Sequence, residues 1–156
     1  MAATESDEHY IRRCIELARR AAEDGDEPFS ALLVIDDEVA LSATNRVIRD
    51  GDRTQHAELL LVQDALRRFD AETLQRATLY ASTEPCIMCA AAIYWGRIPR
   101  VVFGCSQEAF ARETGCRFGM PCVDVFATGQ RKVEVVGPVL EEEALAVHRR
   151  TAGHGG

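Results

Sequence analysis

The sequence is short of several things, and each shortage excludes a class. No apolar run in its 156 residues approaches the roughly 18 that a membrane-spanning helix needs. The start, Met1 to Glu8, is acidic and has no apolar signal-peptide core. There is no excess of positive charge: 18 basic against 25 acidic side chains leave a formal net charge of −7. That balance argues against an unaided grip on nucleic-acid phosphates, which needs a basic face. No internal repeat and no linker divides the chain, so one domain over residues 1–156 is expected. A disulfide framework is not expected either, because six cysteines without a signal segment fit reduced thiols in the cytoplasm. What remains is the composition of an ordinary soluble globule, 47% apolar and 28% charged, with enough chain for one real core.

Against that background two short stretches stand out: His56-Ala57-Glu58 and, after a spacer, Thr83-Glu84-Pro85-Cys86-Ile87-Met88-Cys89. His56, Cys86 and Cys89 supply nitrogen and thiolate donors for one Zn2+. A structural zinc takes four protein ligands in a tetrahedron, whereas a catalytic one takes three and leaves a position for water. Zinc lowers the pKa of such a water from about 15.7 to roughly 7. Glu58, two residues from the ligand His56, is placed to carry the proton that the water loses. Pro85 fits the entry to a helix, where its missing N–H costs nothing. Cys86 and Cys89 then share one helical face, near an N-terminus that favours the thiolate form. A C-x-x-C alone also fits a redox pair or a structural zinc knuckle. The knuckle needs a second such pair, and Cys14, Cys105, Cys116 and Cys122 do not form one.

The spacing predicts a first helix over 6–24, with Tyr10, Ile11, Cys14, Ile15, Ala18, Ala21 and Ala22 buried and Ser6 or Asp7 capping its start. A hairpin of strands 29–35 and 39–44 follows, turning at Asp36-Asp37-Glu38. Phe29 reads as core and Asn45 as a turn residue on their own merits, although the Asn amide suits a base edge. Residues 46–55 read as a loop, 57–69 as a helix and 77–82 as a strand that delivers the chain to Pro85. The cysteine-bearing helix ends near Trp95 at Gly96. A strand over 100–105, a helix near 107–113, a loop over 114–122, a strand over 132–136 and a closing helix over 141–150 complete the reading. Cys116 and Cys122, which flank the loop, are candidates for extra ligands or a redox pair. Residues 151–156 are Gly-rich and expected to fray. Strands separated by helices imply an α/β fold, a mixed sheet covered on both faces.

His56-Ala57-Glu58, the T-E-P-C-I-M-C stretch, and Ala92-Ile93-Tyr94-Trp95 followed by Arg97-Ile98 resemble the cytidine-deaminase-like superfamily, from the first helix to about residue 137. The branch that looks most similar holds bacterial guanine deaminases, fungal-type cytosine deaminases and tRNA adenosine deaminases. The resemblance implies a three-layer α/β/α sandwich around a five-stranded sheet, and a homodimer with the zinc helices near its interface. It implies zinc ligation by His56, Cys86 and Cys89, and proton shuttling by Glu58. Asn45 would read the base, N–H groups near Ala57 and Cys86 would position the attacked carbon, and Phe29 and Trp95 would touch the substrate. The expected reaction is hydrolytic deamination of a small amino-heterocycle, guanine or a related amino-purine first and a cytosine-type pyrimidine second. A tRNA adenosine comes third, because Glu141-Glu142-Glu143 stands where tRNA enzymes commonly carry a basic tail. Two departures bear on guanine. Ser30 replaces a usual Gly, and Arg117-Phe118-Gly119-Met120-Pro121 lies where guanine deaminases carry an acidic Phe-Asp-Asp-like segment. The competing class is a zinc-stabilised subunit without chemistry, against which the intact Glu58 argues.

Overall fold

The computed structural model describes residues 2–151; from residue 152 the Gly-rich end expected to fray lies outside the described residues. Helix α1 spans Glu5–Glu23. Its cap is Thr4, not Ser6 or Asp7. The Thr4 hydroxyl accepts the Asp7 N–H at 3.0 Å and the Asp7 carboxylate accepts the Thr4 N–H at 3.0 Å, a reciprocal box with Asp as its third-position acid. Strands β1 (Ser30–Ile35) and β2 (Glu38–Thr44) form the expected hairpin. Asp36 and Asp37 both sit at positive φ, 51° and 63°, as a tight two-residue hairpin turn requires.

The chain continues through α2 (Val47–Asp50), α3 (Ala57–Arg68), α4 (Ala71–Leu74), β3 (Ala77–Thr83), α5 (Ile87–Trp95) and β4 (Arg100–Cys105). It closes with α6 (Gln107–Thr114), α7 (Cys122–Ala127), β5 (Glu134–Val136) and α8 (Glu141–Thr151). Three of these, α2, α4 and α7, are absent from the pattern read in the sequence. Each is too short for an amphipathic period to show; of the three, α4 has a side-chain N-cap, with Asp70 accepting the Thr73 N–H at 2.8 Å.

The sheet order is β2-β1-β3-β4-β5, with β1 antiparallel to both neighbours and β3, β4 and β5 parallel. Alternating side chains divide between two layers. Leu33, Leu79, Val101 and Phe103 pack with Leu61 of α3, Ile93 of α5 and Phe126 of α7. Leu32, Val34, Tyr80 and Val102 pack on the opposite face with Tyr10, Ile11 and Cys14 of α1. Helix α8 joins that second layer, and Gly104 lets it approach: a Cβ there would stand 2.4 Å from the Ser82 carbonyl and 2.9 Å from the Ala144 Cβ. Buried Asp7 ties α1 across the sheet, accepting from Arg100 Nη1 and Nη2 at 2.9 Å each and from the Tyr80 hydroxyl at 2.7 Å. Burial pushes its carboxyl up, but the Arg100, Thr4 and Tyr80 bonds together outweigh it and hold it well below the usual carboxylate range. No described helix is long and apolar enough to cross a membrane.

Candidate active site

Strand register creates the site. Ser30 pairs with Thr44 on β2 while Ala31 pairs with Ala81 on β3. The start of β1 and the ends of β2 and β3 therefore lie at one end of the sheet. Phe29 precedes β1, and Asn45, which follows β2, donates its N–H to the Phe29 carbonyl at 3.0 Å. Past the end of β3, Pro85 leads to Cys86, the N-cap of α5. His56 is the N-cap of α3, so two packed helices each begin at a candidate ligand.

His56 Nδ1 lies 3.5 Å from Cys86 Sγ and 3.6 Å from Cys89 Sγ, and the three donor atoms fall within 4.8 Å of one another. Zinc–sulfur and zinc–nitrogen bonds of about 2.3 and 2.05 Å at a tetrahedral angle give an N···S edge of about 3.5 Å. The donor chemistry and the spacing both fit zinc. Among the described residues no fourth His, Cys, Asp or Glu joins the cluster, which leaves one coordination position for a non-protein group. Cys89 also donates its N–H to Cys86 Sγ at 3.5 Å. The Cys89 thiol and then the His56 ring, both hydrogen-bonded to it, hold Cys86 down to about 4, and the same sharing pushes Cys89 up. The hydrogen bond to Cys86 raises His56 above its ordinary value.

Glu58 sits on the first turn of α3, 7% exposed. Burial, and then the Cys86 charge, push its carboxyl up to about 7. It opens onto a cavity of about 520 Å³ that also takes in His56, Cys86, Asn45 and Phe29. Asn45 is buried; its Oδ1 accepts the Val47 N–H at 2.9 Å, and its Nδ2 donates to Glu27 Oε2 at 3.4 Å in the cavity wall. Phe29 is a wall of the chamber rather than core alone. It packs on Phe110, Phe118 and His148 at ring-centroid distances of 5.8, 6.0 and 5.1 Å. His148, delivered by α8, is buried with Nε2 2.8 Å from Thr83 Oγ1. Burial holds its imidazole down to about 4.

Not every candidate joins the chamber. Ala57 is wholly buried and its side chain does not line the cavity; what it offers is its place in the first turn of α3, which carries no side-chain cap. Trp95 is 74% exposed and lies outside the cavity. It ends α5 while the cysteines begin it, and eight residues of helical rise separate those ends by about 12 Å. Cys116 is exposed at the cavity wall and Cys122 is buried as the first residue of α7; neither belongs to the donor cluster, and all six cysteines are free. The hydroxyl of Ser30 donates to the Cys14 carbonyl at 2.5 Å, so this departure from Gly ties β1 to α1 without leaving a buried polar group unmet.

Sequence reasoning missed three groups. Glu84, buried between Thr83 and Pro85, accepts the Gln107 N–H at 2.9 Å and the Cys122 N–H at 2.8 Å, capping α6 and α7 together. Its position inside the T-E-P-C stretch was the one available signal. Glu27 and His148 line the cavity from segments with no motif at all.

Residues 4–105 match the model of the cytidine and deoxycytidylate deaminase zinc-binding region. The chain is 39% identical over 152 residues to a probable cytosine deaminase of Schizosaccharomyces pombe, covering 94% of this chain and 92% of the relative. It is 36% identical over 137 residues to the tRNA-specific adenosine deaminase of Bacillus subtilis, covering 88% of this chain and 83% of the relative. Its fold matches the solved guanine deaminase of Nitrosomonas europaea with a TM-score of 0.79 at 23% identity, covering 98% of this chain and 86% of that one.

Proposed function

Because the chain belongs to the cytidine and deoxycytidylate deaminase zinc-binding family and is a zinc-dependent nucleobase or nucleoside deaminase, we propose that its substrate is a free base carrying both an amine and a ring carbonyl, guanine first. One observation carries this reading: a single chamber places buried Glu58 beside a three-donor metal site and presents the Asn45 amide donor within the same walls.

His56, Cys86 and Cys89 would hold a zinc ion, which when bound would supply Lewis-acid activation of water at neutral pH. Glu58 takes a proton from the attacking water and delivers it to the ring nitrogen beside the attacked carbon, then serves the departing amine, so that amine plus water become carbonyl plus ammonia. The ring stacks on Phe29, and Asn45 Nδ2 donates to the ring carbonyl, orienting the aminated carbon. Guanine leads because the chamber volume leaves room for a second ring. Cytosine is the second reading, favoured by the 39% identity to the fission-yeast relative. The net charge of −7 and the acidic start of α8 weigh against tRNA. The exposed Ile87 and Trp95 of α5, with Val123 of α7, offer the apolar surface on which a second copy would seat in a homodimer.

The test is ammonia release from guanine, cytosine, adenine, their nucleosides, and aminated pterins and triazines. A signal confined to amino-oxo free bases is expected. Turnover of nucleosides alone, or of adenosine in RNA alone, would overturn the proposal.

A further inference from the structure

The chamber holds a carboxylate for which the reaction assigned to Glu58 has no use. Glu27 lies half-buried in the cavity wall, on the link between α1 and β1. Its Oε2 accepts from Asn45 Nδ2 at 3.4 Å, a long bond that leaves both groups capacity for a ligand. The order of groups along this wall is set. The commitment of Asn45 Oδ1 to the Val47 N–H prevents the amide from flipping, so an amide donor stands beside a carboxylate acceptor. The link itself is braced. Pro28 follows Glu27, and the Phe29 N–H donates to the Glu27 carbonyl at 2.9 Å. Neighbouring Asp26 is held by the Arg49 N–H at 3.0 Å and by Arg49 Nη2 at 3.1 Å. Arg49 thus pairs with Asp26, and no Arg or Lys forms an ion pair with Glu27 among the described residues.

A donor next to an acceptor complements a lactam edge, where a ring carbonyl neighbours a ring N–H. We infer that Glu27 is a specificity-determining residue that accepts the ring N–H of the free base while Asn45 donates to the adjacent carbonyl. In guanine and in cytosine that hydrogen is on N1, next to the ring carbonyl; it lies between the carbonyl and the aminated carbon in guanine and beyond the carbonyl in cytosine, so the fixed order of this wall suits one of the two bases. A carboxylate at this point rejects a base alkylated there, because the substituent removes the donor and desolvates the charge. For a pyrimidine, where the sugar is carried on N1, the same contact selects free base over nucleoside. This inference rests on the proposed amino-oxo base substrate.

The experiment compares kcat/KM of the zinc-loaded wild type, Glu27→Ala and Glu27→Met, neither of which offers an oxygen acceptor, for guanine, cytosine and their N1-methyl derivatives, with bound zinc measured in each. In the wild type, N1-methylation of the active base is expected to cost at least about 100-fold. Loss of a hydrogen bond to a charged group is expected to lower the free-base value about 10- to 100-fold in both variants. The N1-methyl value should change by no more than about 3-fold, so that the ratio collapses while zinc is retained. Equal losses on free and N1-methylated base would show that Glu27 only positions Asn45 or shapes the wall, and would overturn the inference while leaving the proposed function intact. A wild type inactive on every free base would instead overturn the proposed function, and this inference with it. Should Glu27→Ala fail to fold, Glu27→Met, which nearly keeps the side-chain volume without an oxygen acceptor, decides alone.

Discussion

The two ends of the chamber are assembled from different amounts of chain. At the metal end, His56, Glu58, Cys86 and Cys89 occupy the caps and first turns of two helices, α3 and α5, packed side by side on one face of the sheet. Helical geometry sets the spacing within each pair, and one strand end delivers the second pair. At the base-facing end, Glu27, Phe29, Asn45, Phe118 and His148 come from the α1–β1 link, the end of β2, the loop after α6, and α8. The metal end is built from short local spacings, so a change there removes a donor or Glu58 outright. The base-facing end is a meeting of segments that can be exchanged one by one, so substrate choice can drift while the reaction stays the same.

The sharpest way to break this comparison is to remove a ligand. Cys89→Ala, or prolonged chelation of the wild type, is expected to abolish both bound zinc and ammonia release, read by metal analysis and a coupled assay. Measurable turnover without zinc would undo the assignment of the metal end. Glu58→Gln comes next: kcat should fall by about 10²- to 10⁴-fold with zinc and melting temperature kept, and near-normal turnover would show that another group moves the proton. Glu84→Ala tests what joins the two ends. It strips the shared acceptor from the Gln107 and Cys122 N–H groups, and a loss of about 3 kcal/mol is expected in urea unfolding.

The smallest effect concerns His148. Its folded value, about 4, lies below the ordinary imidazole value, so the unfolded chain takes up the proton first. The stability this buried neutral ring allows is therefore complete above about pH 6.5 and is lost as pH falls from there toward 4. The loss should be on the order of 2–3 kcal/mol. Melting curves of wild type and His148→Gln between pH 4 and 7.5 check it: the difference between them should shrink or reverse as pH falls. A constant difference would show that the α8 contact does not titrate.

Much of the frame was legible before any coordinates. The stripe of Ile11, Cys14 and Ala18, the Gly96 stop, and the strands at 30–35, 77–83 and 100–105 follow from periodicity and turn chemistry within a few residues. The ligand set was legible for the same reason, since H-x-E and P-C-x-x-C are local spacings. Trp95 shows the limit: the family resemblance made it a substrate contact, and helical rise sets it at the far end of α5, exposed and outside the cavity. Helix α7 was missed because its start is stabilised by the carboxylate of Glu84, 38 residues earlier.

The sequence by itself determined the reaction class, because the three donors, Glu58 and the helices that hold them are short-range patterns governed by backbone geometry. Only the tertiary structure decided what lines the cavity. Glu27, Asn45 and His148 share no local spacing. They meet because β1 pairs antiparallel with both β2 and β3, and because α8 docks on the opposite layer beside Thr83. Register and packing are cooperative properties of the whole sheet, and no window of residues contains them.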